Sequence, residues 1–253
     1  MSHFSVAVLS HCPEEVDELL APFCECTDDP AYLEIVPADT PMEEMRQMYA
    51  KEKKDDEPFD TFVNRYYGCT YNEELDECGY LCNPNAKWDW YQVGGRWSNA
   101  LRLKPGCHGN HGEKSWCNEN EAPKEGFCDQ ARLCDVDLSP DPSAYEHAVR
   151  FWEVVVEGAA LRADEAADQY QTFYSKEYYL DQFGDKHSYA QHIASFSAWA
   201  FLTPDGEWHQ TGQMGWWGVH DATKESRNAF ALALKAALES DPALWLTIVD
   251  CHI

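Results

Sequence analysis

The amino-acid sequence predicts an α+β fold, in which helices cover a mixed or largely antiparallel sheet. Strand-like segments lie near both ends of the chain and again near residue 200, helical patterns are grouped between them, and a loop-rich segment occupies the middle. Regular alternation of strands and helices would instead favour a doubly wound parallel sheet. We therefore expect a single α+β domain over residues 1–253, with a cysteine-rich loop region at about 66–137.

The N-terminal part of the chain carries one strand signal and two helix signals. Residues 4–9 are rich in strand-forming side chains and predict an opening strand. Residues 13–23 predict a short helix, because their apolar side chains recur on one face. Thr40 and Glu43 have the spacing of a capping box, and Pro41 suits the first helical position. A second helix is therefore expected to begin with Thr40 as its cap.

The loop-rich region and the segment after it predict strands and helices in turn. Within the loop-rich region, residues 96–103 predict a short strand. Helical patterns then continue to about residue 183 and are broken near Gly158. Residues 196–203 predict a strand that enters the turn Pro204-Asp205-Gly206, and Trp208 lies on the returning strand. This pattern is typical of a β-hairpin.

The C-terminal segment predicts one amphipathic helix and one buried strand. Thr223 is suited to begin the helix, and apolar residues spaced by four follow it. Asp241-Pro242 ends the helix, because the residue before a proline is disfavoured in helical conformation. Residues 244–251 are then expected to form the last strand.

Composition excludes several classes of protein. The chain has 45 acidic and 19 basic residues, a formal charge of −26, which disfavours direct binding to nucleic-acid phosphates or acidic membranes. No long apolar run or signal-peptide pattern is present, so the sequence predicts a cytoplasmic protein without a membrane span. The 11 cysteines are interpreted as mostly reduced thiols, since their number is odd and the chain is long.

The acidic residues are concentrated near the N-terminus. Residues 13–60 contain 16 acidic and 4 basic side chains. A solvated acidic face is the simpler interpretation of such a segment. The alternative is a surface that binds a basic protein partner or imitates DNA.

An aromatic and glycine-rich segment, residues 83–97, is the least ordinary part of the sequence. Aromatic faces and an arginine can hold a planar anionic ligand, and a glycine pair lets backbone amides approach a phosphate. Tight packing of core tryptophans around a turn would produce the same pattern. The candidate ligand-binding residues here are Trp88, Asp89, Trp90, Tyr91, Gly94, Gly95, Arg96 and Trp97.

A second aromatic and glycine-rich segment, residues 212–218, follows the predicted hairpin. It adds Met214, Trp216 and Trp217 to the ligand-binding candidates. If this segment faces the first one, the two form one pocket. Glycines beside paired tryptophans are equally typical of tight packing.

Histidine, cysteine and aspartate residues raise the alternative of a metal site. Zinc favours four thiolate or imidazole ligands in closely spaced pairs, and carboxylates beside imidazoles suit other divalent metals. Cys107-His108-x-x-His111 is one such pair, although no regular CxxC repeat is present. The candidate metal ligands are His108, His111, Asp135, Asp137, Cys251 and His252, to which Asp129 and Asp250 add nearby carboxylates.

Several of these segments together resemble the landmarks of a family of uncharacterised proteins encoded by bacteria, plasmids and tailed phages. The resemblance runs from end to end and rests on Met1 to Val6, Asn83 to Trp97, Leu101 to Gly106, Asp129 to Arg132, Thr203 to Trp208, Gly212 to Gly218 and Val249 to Ile253. It implies a protein of mobile elements or their bacterial hosts, and no particular activity. The cysteines between 107 and 134 are not among the landmarks, which argues against a zinc site there.

Three functional hypotheses follow from the sequence. The preferred one is a protein that binds a nucleotide-like or other planar polar ligand in a pocket of Trp, Gly and Arg residues, with phage–host conflict as its biological setting. A metal-dependent hydrolase using Asp, His and Cys residues is the second. An acidic interaction protein or DNA mimic that inhibits a host factor is the third. No Gly-x-Ser-x-Gly, His-Glu-x-x-His or Walker motif is present, so the sequence leaves open whether the protein is an enzyme.

Overall fold

The computed structural model describes residues 2–112, 123–215 and 219–253. Within these residues it contains seven α-helices and eleven strands, in mixed and antiparallel sheets, which confirms the predicted α+β fold. The chain divides into two compact units. The first comprises residues 14–91 with 251–253, and the second comprises residues 2–13 with 92–250. The organisation as a single domain stays a prediction.

The helices and strands have the following bounds. The strands are β1 (His3–Ser10), β2 (Glu34–Pro37), β3 (Thr70–Asn72), β4 (Glu77–Cys82), β5 (Trp90–Val93), β6 (Leu101–Arg102), β7 (Phe127–Cys128), β8 (Gln130–Arg132), β9 (Ala200–Leu202), β10 (Trp208–Gln210) and β11 (Trp245–His252). The α-helices are α1 (Val16–Leu20), α2 (Met42–Glu52), α3 (Phe59–Tyr67), α4 (Pro142–Val155), α5 (Lys176–Phe183), α6 (Lys186–Ala194) and α7 (Lys224–Ser240). None of the helices in these described ranges is long and apolar enough to cross a membrane.

The first unit is built around a small antiparallel sheet with strand order β2-β4-β3. Its core is a buried cluster of Met45 from α2, Phe62 and Val63 from α3, and the thiols of Cys69 and Cys78. Burial of these apolar side chains is the main stabilising contribution in a core of this kind. Two of the cysteines interpreted as reduced thiols are therefore part of this core.

Two predictions for the first unit need correction. Helix α2 begins at Met42 with Pro41 in extended conformation as its N-cap, and no side chain caps it, so Thr40 does not have the predicted role. Helix α3 was not predicted, although its apolar residues at 59, 62, 63, 66 and 67 follow helical spacing. It ends at Gly68, whose φ of 72° is the left-handed conformation that glycine adopts without strain.

The second unit contains most of a mixed sheet with strand order β10-β9-β1-β11-β5, in which β8 also pairs with β11. Strand β1 is parallel to β9, whereas β10 is antiparallel to β9. Strand β1 is an interior strand, and its residues from Phe4 to Ser10 are all buried. Strands covered on both faces have this continuous burial rather than alternation. The hairpin of β9 and β10 confirms the prediction from Pro204-Asp205-Gly206.

Helix α7 covers part of this sheet. Its cap is Thr223, whose side chain accepts from the Ser226 N–H in a capping box, as the sequence predicted for the helix start. Phe230 and Leu234 are buried in the main core cluster of the second unit, with Phe201 of β9 and Ile248 of β11. The final strand, predicted over residues 244–251, is observed as β11.

The predicted strand over residues 96–103 is largely wrong. Only Leu101–Arg102 forms a strand, and the preceding residues form a turn. Gly94, Gly95 and Asn99 have positive φ values of 75°, 54° and 62°, which are incompatible with extended β structure. This turn, residues 94–99, is called the GGRW turn below.

Candidate functional site

The GGRW turn is held by two buried aspartates of the second unit. The Asp250 side chain is fully buried at the end of β11, and its Oδ2 accepts the Arg96 N–H at 2.9 Å. Asp129, at 2% exposure, lies between β7 and β8, and its Oδ1 accepts the Asn99 N–H at 2.5 Å. Buried carboxylates require such donors, because burial without them is costly. The turn and the two carboxylates therefore stabilise each other.

The glycine pair is explained by this close packing. A Cβ at position 95 would lie 2.5 Å from the Asp250 Cβ, and one at position 94 would lie 2.7 Å from Asp129 Oδ2. Gly94 donates its N–H to the Ile248 carbonyl and Gly95 donates to the Val93 carbonyl. The two amides thus have protein acceptors, and the glycines provide room for the carboxylates.

His3 also contacts Asp250, a contact that the sequence did not predict. Its Nδ1 lies 2.8 Å from Asp250 Oδ1, at the start of β1. The neighbouring Ser2 hydroxyl donates to the Gly215 carbonyl at 3.1 Å. The start of β1 therefore lies between Asp250 and the second aromatic segment. Only the resemblance, which includes residues 1–6, singled out this part of the chain.

The Trp97 side chain, within the GGRW turn, lines a cavity of about 250 Å³ in the second unit. Phe127 and Phe196 are two further aromatic residues of its wall. The apolar part of the lining is completed by Ala100, Leu101, Val136, Leu138, Ala194 and Ile248, and the polar part by Ser5, Arg102, Asp137, Ser139, Asp141, Ser195 and Ser197. Apolar walls with a few oriented polar groups are typical of small-molecule sites.

The polar side of this cavity is organised by Arg102. Its Nε donates to Asp137 Oδ2 at 3.0 Å, and its Nη1 donates to Asp141 Oδ2 at 3.2 Å. Its Nη2 donates to both the carbonyl and the hydroxyl of Ser139. Five-donor guanidinium groups favour such forked contacts. The Arg102 guanidinium in the cavity lining is therefore already paired with the two carboxylates of Asp137 and Asp141.

Both carboxylates are ionised at neutral pH. Hydrogen bonds from the Ser139 hydroxyl and N–H, together with Arg102, lower the pKa of Asp137. The Ala144 N–H, at the start of α4, is the largest cause of the lowered pKa of Asp141, and Arg102 adds to it. The three ionised groups give the cavity lining one net negative charge.

The other predicted ligand-binding residues lie elsewhere. Trp88 is buried in the first unit, where its Nε1 donates to the Leu20 carbonyl at 3.2 Å. Asp89 Oδ1 lies 2.6 Å from His252 Nδ1. The Tyr91 hydroxyl donates to Asp17. Burial is the largest cause of the raised pKa of Tyr91, and the Asp17 carboxylate adds to it. Trp90 is 46% exposed. Residues 88–91 thus belong to the first unit, and 94–97 to the second.

Of the predicted ligand-binding residues that are described in the second unit, Trp97 lines the cavity, whereas the Arg96 side chain is exposed. Met214 is half-buried and forms an isolated bridge with His220. Trp216 and Trp217 lie outside the described residues. Sequence reasoning missed Arg102, Phe127 and Phe196. Arg102 falls within the landmark segment Leu101 to Gly106, to which the resemblance assigned no role.

The candidate metal ligands are dispersed. His108 is exposed, and His111 Nδ1 lies 4.0 Å from Asp129 Oδ2. Asp137 pairs with Arg102, and Cys251 is buried in β11. Asp135 lies beside the Cys107 thiol, whose pKa is raised first by burial and then by this carboxylate. In the described part of the chain, no three His, Cys, Asp or Glu side chains are grouped to hold a metal ion.

No protein-family model, no curated protein and no solved structure matches this chain. The resemblance drawn from the sequence landmarks therefore stays a prediction.

Proposed function

We propose that this protein binds a small planar polar molecule of the nucleobase type in the cavity lined by Trp97. The observation that carries the proposal is the presence of Trp97, Phe127 and Phe196 around one cavity with a polar side. Aromatic side chains bind planar rings by stacking, and hydrogen-bonding groups at one side select a polar ring edge. This proposal keeps the planar-ligand hypothesis from the sequence and moves its centre from Arg96 to Trp97.

Size and charge narrow the ligand class. The cavity volume of about 250 Å³ lies below the roughly 300–1,000 Å³ typical of drug-sized ligand sites, which favours a single ring system over a whole nucleotide. Arg102 is matched by Asp137 and Asp141, so a phosphate would meet net negative charge. A neutral or cationic ring with N–H donors suits this lining. A base or nucleoside is therefore expected to bind more tightly than its phosphate.

The test is titration of the purified protein with adenine, guanine, cytosine and uracil, and with their nucleosides and 5′-monophosphates, followed by calorimetry. We expect saturable binding of at least one base or nucleoside, and weaker binding of its monophosphate. Trp97→Leu should weaken this binding by about tenfold, because stacking on one aromatic ring contributes about 1–3 kcal/mol. Trp90→Leu is the matched control, since Trp90 belongs to the first unit and lies outside the cavity lining.

Two results would contradict the proposal. One is the absence of saturable binding by every base and nucleoside tested. The other is binding that Trp97→Leu leaves unchanged while thermal unfolding shows that variant to be folded. Phe196→Leu provides a second variant of the same wall, in case Trp97→Leu fails to fold.

The biological setting is also a proposal. The landmark segments resemble proteins of bacteria, plasmids and phages, and the first of the three sequence hypotheses places ligand binding in conflict between phage and host. Bases and nucleosides are released when nucleic acids are degraded. A base-binding protein would suit that setting.

A further inference from the structure

The small sheet of the first unit exposes apolar side chains on both of its faces. Ile35 of β2 and Leu81 of β4 are directly opposite in the antiparallel register, so they share one face, and they are 45% and 59% exposed. Val36 and Tyr80 are the next opposite pair, on the other face, and both are also exposed. An added strand would contact side chains on both faces at once.

Strand β2 has one edge available for such a strand. The sheet order β2-β4-β3 pairs β2 with β4 alone among the described strands, and all four of its residues are exposed. Edge strands present backbone N–H and C=O groups that can pair with another chain. Pairing of an extended peptide with such an edge is a recurring mode of peptide recognition.

The charge of the first unit determines what kind of strand fits. Residues 14–91 and 251–253 contain 21 acidic and 6 basic side chains, a formal charge of −15. Glu34 lies within β2 and Asp39 lies shortly after it. Two of the basic residues, Arg46 and Arg65, are already paired with Asp76 and Glu57. The edge therefore belongs to a unit of strongly negative formal charge and has acidic residues within and just after its strand.

This charge excludes a second copy of the chain as the favoured occupant. Two copies would bring the same acidic side chains together, and like charges across an interface are unfavourable. A basic partner is attracted by the same negative charge that repels a second copy.

We propose that β2 binds an extended segment of a basic protein, in which apolar residues alternate with Lys or Arg. The apolar residues would pack beside Ile35, with Leu81 on the same face one strand further away, and the cations would lie on the other face with Glu34. This inference concerns the first unit and is independent of the ligand proposed for the second. It assigns a location and a binding mode to the acidic segment at residues 13–60.

The test uses two synthetic seven-residue peptides of equal composition. One alternates Lys with Val and Ile, and the other has the same residues with the lysines in one block. We expect the full-length protein to bind the alternating peptide more tightly, with an affinity that falls as salt rises. Amide chemical-shift changes on binding should be centred on Glu34, Ile35 and Val36.

Variants locate the binding surface. Ile35→Thr should weaken binding of the alternating peptide by about three- to fivefold, since Ile35 would lie beside the added strand and threonine preserves strand propensity. Leu81→Thr, one strand further from the peptide, should have a smaller effect in the same direction. The matched control is Val219→Thr, an exposed apolar residue of the second unit, which should leave the affinity unchanged.

Three outcomes would overturn the proposal. The first is equal binding of both peptides, since charge alone would then account for it. The second is an affinity that neither Leu81→Thr nor Ile35→Thr changes. The third is a protein dimer in sedimentation that Leu81→Thr dissociates, since a second copy would then be the occupant.

Discussion

At the residue scale, the glycine pair and the two buried aspartates explain one another. Gly95 has a φ of 54° and lies against Asp250, whose Oδ2 accepts the next N–H along the turn. Gly94 likewise lies against Asp129, which accepts the Asn99 N–H at the end of the turn. Each buried carboxylate needs hydrogen-bond donors. The backbone N–H groups of the turn can reach the carboxylates only if no side chain at positions 94 and 95 fills the space between them. The sequence showed the glycines and the aspartates separately, but their pairing depends on contacts more than 30 residues apart.

Substitution of Gly95 should therefore cost more than loss of glycine flexibility. Gly95→Ala should destabilise the protein by about 2–5 kcal/mol, because left-handed strain adds about 1–2 kcal/mol and overlap with a packed group adds about 1–3 kcal/mol. Gly206→Ala is the matched control. It has a φ of 84° with open space around it, so strain alone should act. Urea unfolding measures both, and equal losses would contradict the packing argument.

At the element scale, local signals predicted some parts of the fold and contacts between distant residues determined the rest. The hairpin of β9 and β10 and helix α7 have their turn and capping residues within a few positions, so the sequence predicts them. Residues 96–99 of the GGRW turn were predicted as part of a strand, because the carboxylates that hold the turn are remote in sequence. The cavity combines Trp97 with Phe127 and Phe196, and no spacing rule connects these three residues.

The two capping threonines provide a test at this scale. Thr223 accepts the Ser226 N–H, whereas Thr40 precedes a helix that begins at Met42 without a side-chain cap. Thr223→Ala should therefore lower the free energy of unfolding by about 1 kcal/mol, the usual cost of losing an N-cap. Thr40→Ala should change it by less than about 0.5 kcal/mol, as for other surface substitutions. An equal loss in both variants, measured by urea unfolding, would restore Thr40 as a cap.

At the scale of the whole molecule, the uneven charge separates two proposed roles. The first unit has a formal charge of −15, and the proposed peptide edge lies within it. In the second unit, the proposed ligand cavity has a cation already matched by carboxylates. Neither surface suits a phosphate. The negative formal charge of the sequence is therefore compatible with recognition of nucleobases and of basic peptides, and it opposes recognition of intact nucleic acid.

The same charge should make stability depend on salt. A formal charge of −26 causes self-repulsion in the folded state, which added ions screen. Raising NaCl from about 0.02 to 0.5 M shortens the Debye length from roughly 20 to 4 Å, so the thermal unfolding temperature at pH 7 should rise. Salt also weakens exposed ion pairs such as Arg46 with Asp76, but each such pair contributes only about 0–1 kcal/mol. Neutralising Glu14, Glu18, Asp28 and Asp55 to amides should reduce the salt-dependent rise. An unfolding temperature that falls with salt would mean that ion pairing outweighs repulsion in this protein.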